Sequence, residues 1–290
     1  MQFGVNLLLF SDQIDKPVMR HFGKLREFGF DGLELPIFAP KTIDVDAIRK
    51  QAERYELKLT VSGAPPPGSR FYGKDKAARA AAEEYTRDVI NVTADLGASV
   101  LCGPLFKPVG DTDDSMPLPA QRRETARAFA PLARLAEESG VLLAFEPLNR
   151  FETNLLNTTA DSIAFAKAIG TPAAKLLLDT FHMHIEEKNT PAALRDAMAA
   201  GVLGHVHFSE NDRGTVGSGQ VRWTDTANAL AEIGYDGWVV LESFCQDNQA
   251  IRRAVSCWRP FFDSPLEFCE QGINFAKTIC ASAKKRGRKK

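Results

Sequence analysis

The feature that most constrains this chain is a strict alternation along its whole length. Short apolar, β-branched runs are each followed by a segment with helical spacing. The strand candidates are Phe3–Leu7, Gly32–Pro36, Leu57–Ser62, Ser99–Gly103, Val141–Pro147, Lys175–Thr180, Gly204–Phe208 and Trp238–Ser243. Between them, Asp44 to Tyr55 keeps Val45, Ile48 and Ala52 on one side. Asp75 to Leu96 opens on a capping aspartate, carries Tyr85, Val89, Val92 and Leu96 as a stripe, and stops at Gly97. Gln121 to Ser139 ends at Gly140, and Pro131 inside it is expected to kink the helix or mark its true start. Eight strands, each followed by a helix, predict an α/β fold of the (β/α)₈ barrel type. An open doubly wound sheet would favour a glycine-rich turn after the first strand. Val5-Asn6-Leu7-Leu8-Leu9-Phe10 offers no glycine there. A faint repeat agrees with the barrel: Phe28-Gly29-Phe30-Asp31-Gly32-Leu33-Glu34 resembles Ile233-Gly234-Tyr235-Asp236-Gly237 and the strand that runs on to Glu242.

At 290 residues, 44% hydrophobic and 25% charged, the chain can bury a large core. No apolar run approaches the ~20 residues needed to cross a bilayer. The apolar start, Met1 to Phe10, lacks a basic lead-in and a small-residue cleavage site, and reads as a first strand. Five widely spaced cysteines form no CxxC pair, which argues against a disulfide framework and for a reducing cytoplasm. The net charge of −1 hides an asymmetry, because Lys284, Lys285, Arg286, Arg288, Lys289 and Lys290 crowd the end and leave the rest acidic. An acidic body is a poor partner for nucleic acid. These features predict one barrel domain over 1–283, with 284–290 as a basic, disordered tail.

Side chains at the C-terminal ends of barrel strands face the active site. Strand five ends Ala144-Phe145-Glu146, strand six Leu177-Leu178-Asp179, and strand eight Val240-Leu241-Glu242, while strand seven carries His205-Val206-His207. Strands three and four end in Ser62-Gly63 and Cys102-Gly103. A lone carboxylate at a strand end is often a cap or surface ion pair. Polar ends on four consecutive strands, each after an apolar run, are harder to explain that way. Buried carboxylates need a partner or a metal. Two or three carboxylates with one imidazole form a hard, oxygen-rich set that suits Mn²⁺ or Mg²⁺ better than a structural zinc.

His205 and His207 are two apart and so face the same side of their strand. His207, nearer the mouth, is the candidate ligand, and His205 a packed, hydrogen-bonded neighbour. His182, after strand six, is placed to reach a substrate. Glu34 could join the site, and a structural role at the end of strand two is the preferred reading. Arg213-Gly214-Thr215-Val216-Gly217-Ser218-Gly219-Gln220 follows strand seven, where barrel enzymes often hold phosphate; a flexible turn is the alternative.

Glu146-Pro147-Leu148-Asn149-Arg150-Phe151-Glu152, Leu178-Asp179-Thr180-Phe181-His182-Met183-His184, Gly204-His205-Val206-His207-Phe208-Ser209-Glu210-Asn211-Asp212-Arg213 and Val240-Leu241-Glu242 resemble the ketose 3-epimerases, the D-tagatose and D-allulose (psicose) 3-epimerases of the sugar isomerase/epimerase superfamily. The resemblance covers most of the chain. It implies a xylose-isomerase-like barrel with Glu146, Asp179, His207 and Glu242 as metal ligands, usually around Mn²⁺, with Mg²⁺ or Co²⁺ as alternatives. It also implies that Glu152, His182 and Arg213 contact the substrate. Glu146 and Glu242 match the two bases that invert C3 of a ketose through a cis-enediolate. A homodimer or homotetramer is implied as well, and Trp258, Phe261, Phe262 and Phe268 are assigned to core or subunit contact.

The ends of strands two and three, Leu35-Pro36-Ile37-Phe38 and Ser62-Gly63-Ala64-Pro65-Pro66-Pro67, depart from the well-known members and leave the particular ketose open. Three other functions compete: an aldose–ketose isomerase of hydroxypyruvate type, a dehydratase on an inositol-like ketone, and a sugar-binding barrel without catalysis. The endonuclease IV class would need further ligands from strands three and four, where Gly63 and Gly103 stand.

Overall fold

Strands buried on both faces must find helices outside and one another inside. A computed structural model describes residues 1–287 and closes the eight predicted strands into one parallel barrel, with β8 returning to pair with β1. The strands are β1 (Gln2–Asn6), β2 (Gly32–Pro36), β3 (Lys58–Ser62), β4 (Val100–Gly103), β5 (Leu142–Phe145), β6 (Ala174–Asp179), β7 (Leu203–Phe208) and β8 (Trp238–Leu241). The helices are α1 (Lys16–Met19), α2 (Phe22–Phe28), α3 (Val45–Arg54), α4 (Lys76–Asp95), α5 (Leu118–Glu138), α6 (Thr159–Ile169), α7 (Thr180–Glu186), α8 (Thr190–Ala199), α9 (Trp223–Glu232), α10 (Gln249–Ala254) and α11 (Pro265–Gly287).

The caps act where the sequence places them. Asp44 accepts from the Ala47 N–H and Asp75 from the Ala78 N–H, each satisfying an otherwise unpaired donor at a helix start. Pro131 neither begins nor ends a helix, since α5 runs on both sides of it. Pro131 and Arg127 are both exposed, so the Arg127 carbonyl that loses its partner faces water.

The period-two alternation of the strands divides the core into two. Outward residues such as Leu35, Val61, Leu143, Phe145, Leu178, Phe208 and Leu241 pack against the helices. Inward residues Val100, Cys102, Ala144, Leu177, Trp238 and Val240 fill the barrel. Each large aliphatic or phenylalanine side chain among these contributes about 1.5–3 kcal/mol on burial. Gly32 makes room for this filling: a Cβ there would lie 2.5 Å from both the Lys58 carbonyl and the Trp238 ring. Toward the C-terminal end the interior becomes polar, passing from Glu34, Thr60 and His205 to Asn6, Ser62, His207 and Glu242, all buried.

The expected basic tail is corrected over its first residues. Lys284, Lys285 and Arg286 form the last turn of α11, where positive charge complements the helix dipole. Residues 288–290 lie outside the described residues. Of the C-terminal aromatics, Phe268 is core and packs at a tilt against Phe262 with centroids 5.3 Å apart, whereas Trp258 is 67% exposed. Among the described residues no helix is long and apolar enough to cross a membrane.

Candidate metal centre and substrate pocket

Four side chains converge at the C-terminal mouth because four strands end there in register. Glu146 follows β5, anchored by its N–H to the Gly103 carbonyl at 3.0 Å. Asp179 ends β6 and caps α7, its Oδ1 accepting from the Phe181 N–H at 2.6 Å, which leaves Oδ2 turned inward. His207 pairs with Asp179 across the β6–β7 ladder. Glu242 follows β8, its N–H bonded to the Phe208 carbonyl at 3.1 Å. One ligand atom from each of the four lies within 4.8 Å of the others, and all four residues are buried.

These residues fit a divalent cation. His207 Nδ1 lies 3.3 Å from Glu242 Oε1 and 3.7 Å from Asp179 Oδ2. Two donors each ~2.0–2.2 Å from one ion, at octahedral or tetrahedral angles, stand about 3.0–3.6 Å apart. Both ring nitrogens of His207 are buried without a hydrogen bond of good geometry, and it is Nδ1 that faces Asp179 and Glu242. Without a cation the carboxylates are poorly tolerated: burial, followed by the charge of Glu242, drives the Glu146 pKa well above the usual range. Burial acts the same way on Asp179, but the Arg213 guanidinium beside it wins and holds it low.

Arg213 adopts a left-handed backbone (φ 62°) and folds back into the pocket. Its Nη1 donates to Ser209 Oγ at 2.6 Å, Glu242 Oε2 at 2.9 Å and Asp179 Oδ2 at 3.2 Å. The guanidinium is sandwiched between Phe181 and Phe244, 3.8 and 4.9 Å from the ring centroids.

His182, on α7, has its tautomer set by the backbone. Its Nδ1 accepts from the Asn149 N–H at 2.9 Å, so the ring proton of the neutral form sits on Nε2. Burial, then Arg213, lowers its pKa to about 3 and keeps it neutral. Nε2 stands 3.2 Å from Arg213 Nη2 and 3.5 Å from Glu146 Oε1. Two donors that face each other rather than an acceptor form a cradle for an incoming oxygen. Glu152, on the loop after β5, accepts from Asn149 Nδ2 at 2.8 Å, so Asn149 ties it to His182. Burial raises its pKa.

The structure thus brings all seven sequence-predicted site residues to one mouth. It adds a layer beneath them that the strand ends did not disclose. Glu34, fully buried, faces His205 Nε2 and His207 Nε2, both at 2.8 Å, and accepts from Thr60 Oγ1 at 3.0 Å and Cys102 Sγ at 3.2 Å. Glu34, Cys102, His205 and His207 also lie close enough to suggest a metal set. The 2.8 Å approaches are hydrogen-bond distances, too short for two ligands of one tetrahedral ion. Glu34 is therefore hydrogen-bonded to Thr60, Cys102 and His205, the last being the packed neighbour expected, and His207 Nε2 makes a close ion-pair approach to it. The signal available in the sequence was period two: Asn6, Glu34, Thr60 and Cys102 sit at inward positions of strands whose outward residues are apolar.

In the glycine-rich stretch after β7, N–H groups are already taken by side chains of the same loop. The Glu210 carboxylate accepts from the N–H groups of Gly217 and Val221 and from the Trp223 indole at 3.0, 2.9 and 2.8 Å. Asn211 takes the Gln220 N–H at 2.7 Å.

Comparison with known proteins matches this architecture. The family described as "Xylose isomerase-like TIM barrel" matches residues 22–261. The chain is 34% identical over 261 residues to the L-ribulose 3-epimerase of Mesorhizobium japonicum, covering 89% of this chain and 87% of that one. It is 30% identical over 280 residues to a probable ketose 3-epimerase of Synechocystis sp., covering 96% of each. The crystal structure of D-allulose 3-epimerase from Methylomonas sp. in complex with D-allulose is similar with a TM-score of 0.90 at 27% identity, covering 96% of this chain and 97% of that one.

Proposed function

Since the chain belongs to the ketose 3-epimerase family of xylose isomerase-like TIM barrels, an isomerase class, we propose that it inverts C3 of a free ketose using Glu146 and Glu242 as its two bases. The observation that carries this reading is the convergence of two buried glutamates, from β5 and β8, on one pocket that also holds Asp179 and His207. Glu146, Asp179, His207 and Glu242 would hold the divalent ion, with Mn²⁺ the proposed metal and Mg²⁺ or Co²⁺ the alternatives. When bound, the ion supplies Lewis acidity that spreads the negative charge of an enediolate.

The protein's own residues account for the rest. A ketose C3 proton is weakly acidic, and its loss leaves a planar C2–C3 enediolate. One glutamate takes the proton from one face and the other returns a proton to the opposite face, which inverts the centre. Which glutamate acts first follows from the handedness of the substrate. Arg213 Nη2 and His182 Nε2–H are placed to donate to a substrate oxygen, and Glu152 to accept from a hydroxyl. Burial of Glu146, Asp179, His182, His207, Arg213 and Glu242 limits water that would compete for the intermediate.

Occupation of the glycine-rich loop by Glu210 supports a ketose without phosphate. All five cysteines are unpaired, in keeping with the proposed cytoplasmic setting. A homodimer or homotetramer is proposed as well, with the exposed Phe38, Phe151 and Trp258 as apolar side chains available for contact.

The test is incubation of Mn²⁺-loaded protein with D-fructose, D-tagatose, D-allulose and L-ribulose in turn, followed by ¹³C NMR. The C3 epimer of at least one ketose should accumulate, and chelation should stop it. Formation of an aldose would replace this reading with the isomerase, and loss of water with the dehydratase. Metal binding without conversion of any of the four sugars would overturn the free-ketose assignment.

A further inference from the structure

We propose that Glu34 is the positioning residue of this centre: it fixes the His207 ring with its proton on Nε2, so that the Nδ1 lone pair faces the metal, and through Asn6 it also holds Glu242. The inference rests on the metal reading above.

Glu34 lies in the middle of β2, fully buried, and takes no part in the proton transfers. A buried carboxylate is costly unless its oxygens are satisfied. Donors surround this one. Oε2 accepts from Thr60 Oγ1, Cys102 Sγ and His205 Nε2, and Oε1 accepts from Asn6 Nδ2 at 3.1 Å and faces His207 Nε2 at 2.8 Å. An acceptor-only group in that position requires the facing imidazole nitrogens to carry protons. For His207 this places the proton away from Asp179 and Glu242 and leaves Nδ1 toward them.

Asn6 extends the arrangement. Its Oδ1 is committed to the Leu8 N–H at 2.9 Å, so Nδ2 is the donor that reaches Glu34 Oε1 and, at 3.2 Å, Glu242 Oε1. One carboxylate thereby orients a metal ligand directly and a catalytic glutamate through a single amide. A glutamine at position 34 breaks this pattern. Its NH₂ would meet donors on whichever side it turned, and turned toward Oε1's place it would drive His207 to the Nδ1–H tautomer, which cannot bind a metal at that nitrogen.

Outer partners of metal-bound histidines are typically worth 10–100-fold in metal affinity. Calorimetric titration of Mn²⁺ into metal-free wild-type, Glu34→Gln and Thr60→Val protein reads this directly. Glu34→Gln should weaken Kd by about 10–100-fold. Thr60→Val, which removes one bond to the same carboxylate but leaves its charge facing His207, should weaken Kd by clearly less than Glu34→Gln. A wild type that takes up no Mn²⁺ would overturn the metal reading itself, whereas tight wild-type binding with Glu34→Gln equal to it would overturn this proposal alone. A second measurement does not depend on any variant folding. In ¹⁵N-histidine-labelled wild type loaded with Mg²⁺, His207 should show a protonated Nε2 and an unprotonated Nδ1. An unprotonated Nε2 would overturn the proposal.

Discussion

Replacing Glu146 or Glu242 with glutamine should lower kcat by about 10²–10⁴-fold, the usual contribution of a positioned general base. Glutamine matches glutamate in shape and keeps a carbonyl oxygen that can still approach a cation, but it cannot take a proton. Both glutamates are buried beside Asp179 and His207, so each variant removes one base from the same site. The two variants should differ in a partial reaction. With one base removed, the other still reaches the C3 proton of the epimer that presents its hydrogen to that face. In D₂O that epimer should exchange its C3 hydrogen without inverting, and the opposite epimer should do so in the other variant. Near-normal epimerisation by Glu146→Gln would show that the two-base assignment is wrong.

The second large effect is expected at Arg213. Arg213 is 5% exposed, and its guanidinium contacts Asp179 and Glu242 together. Arg213→Met keeps much of the packing against Phe181 and Phe244 but removes the charge. Removing one member of a buried ion-pair group costs about 3–5 kcal/mol, because the remaining charges stay buried without compensation. That cost should appear in full in urea unfolding with a chelator present. It should shrink with saturating Mn²⁺, since an ion among Asp179, Glu242 and His207 neutralises the same carboxylates. An equal loss in both conditions would mean that the metal and Arg213 do not share them.

The sequence was most informative where function and strand geometry coincide. Glu146, Asp179 and Glu242 were legible because each breaks an apolar run at the mouth end of a strand, where a barrel turns side chains toward the substrate. His207 was distinguishable from His205 by depth alone, two residues along one face. Glu34 was harder to place. A carboxylate inside a strand reads as a solvent-facing residue unless the neighbouring inward positions are considered together, and its partners Asn6, Thr60, Cys102 and His205 come from β1, β3, β4 and β7. Only closure of the barrel brings those strands around one point. The loop after β7 was ambiguous for a related reason: Gly217 and Gly219 are consistent with an anion cradle, and what fills that role is Glu210, a residue of the same loop. The end of the chain was read from charge, while the helix continues through Lys284 to Gly287 because its apolar face still packs, with Cys280 and Ala283 buried.

The central claim is inversion at C3 by two bases on opposite faces. A carboxylic acid carries one proton, so a base that removes the substrate hydrogen cannot also supply the solvent hydrogen that its counterpart delivers. The most direct measurement is the early time course of deuterium at C3 in D₂O, read by NMR in both substrate and product. Two bases require product that carries deuterium at C3 while the unreacted ketose keeps its protium. Product that retains the original protium at C3, or deuterium appearing at C1 instead, would contradict it.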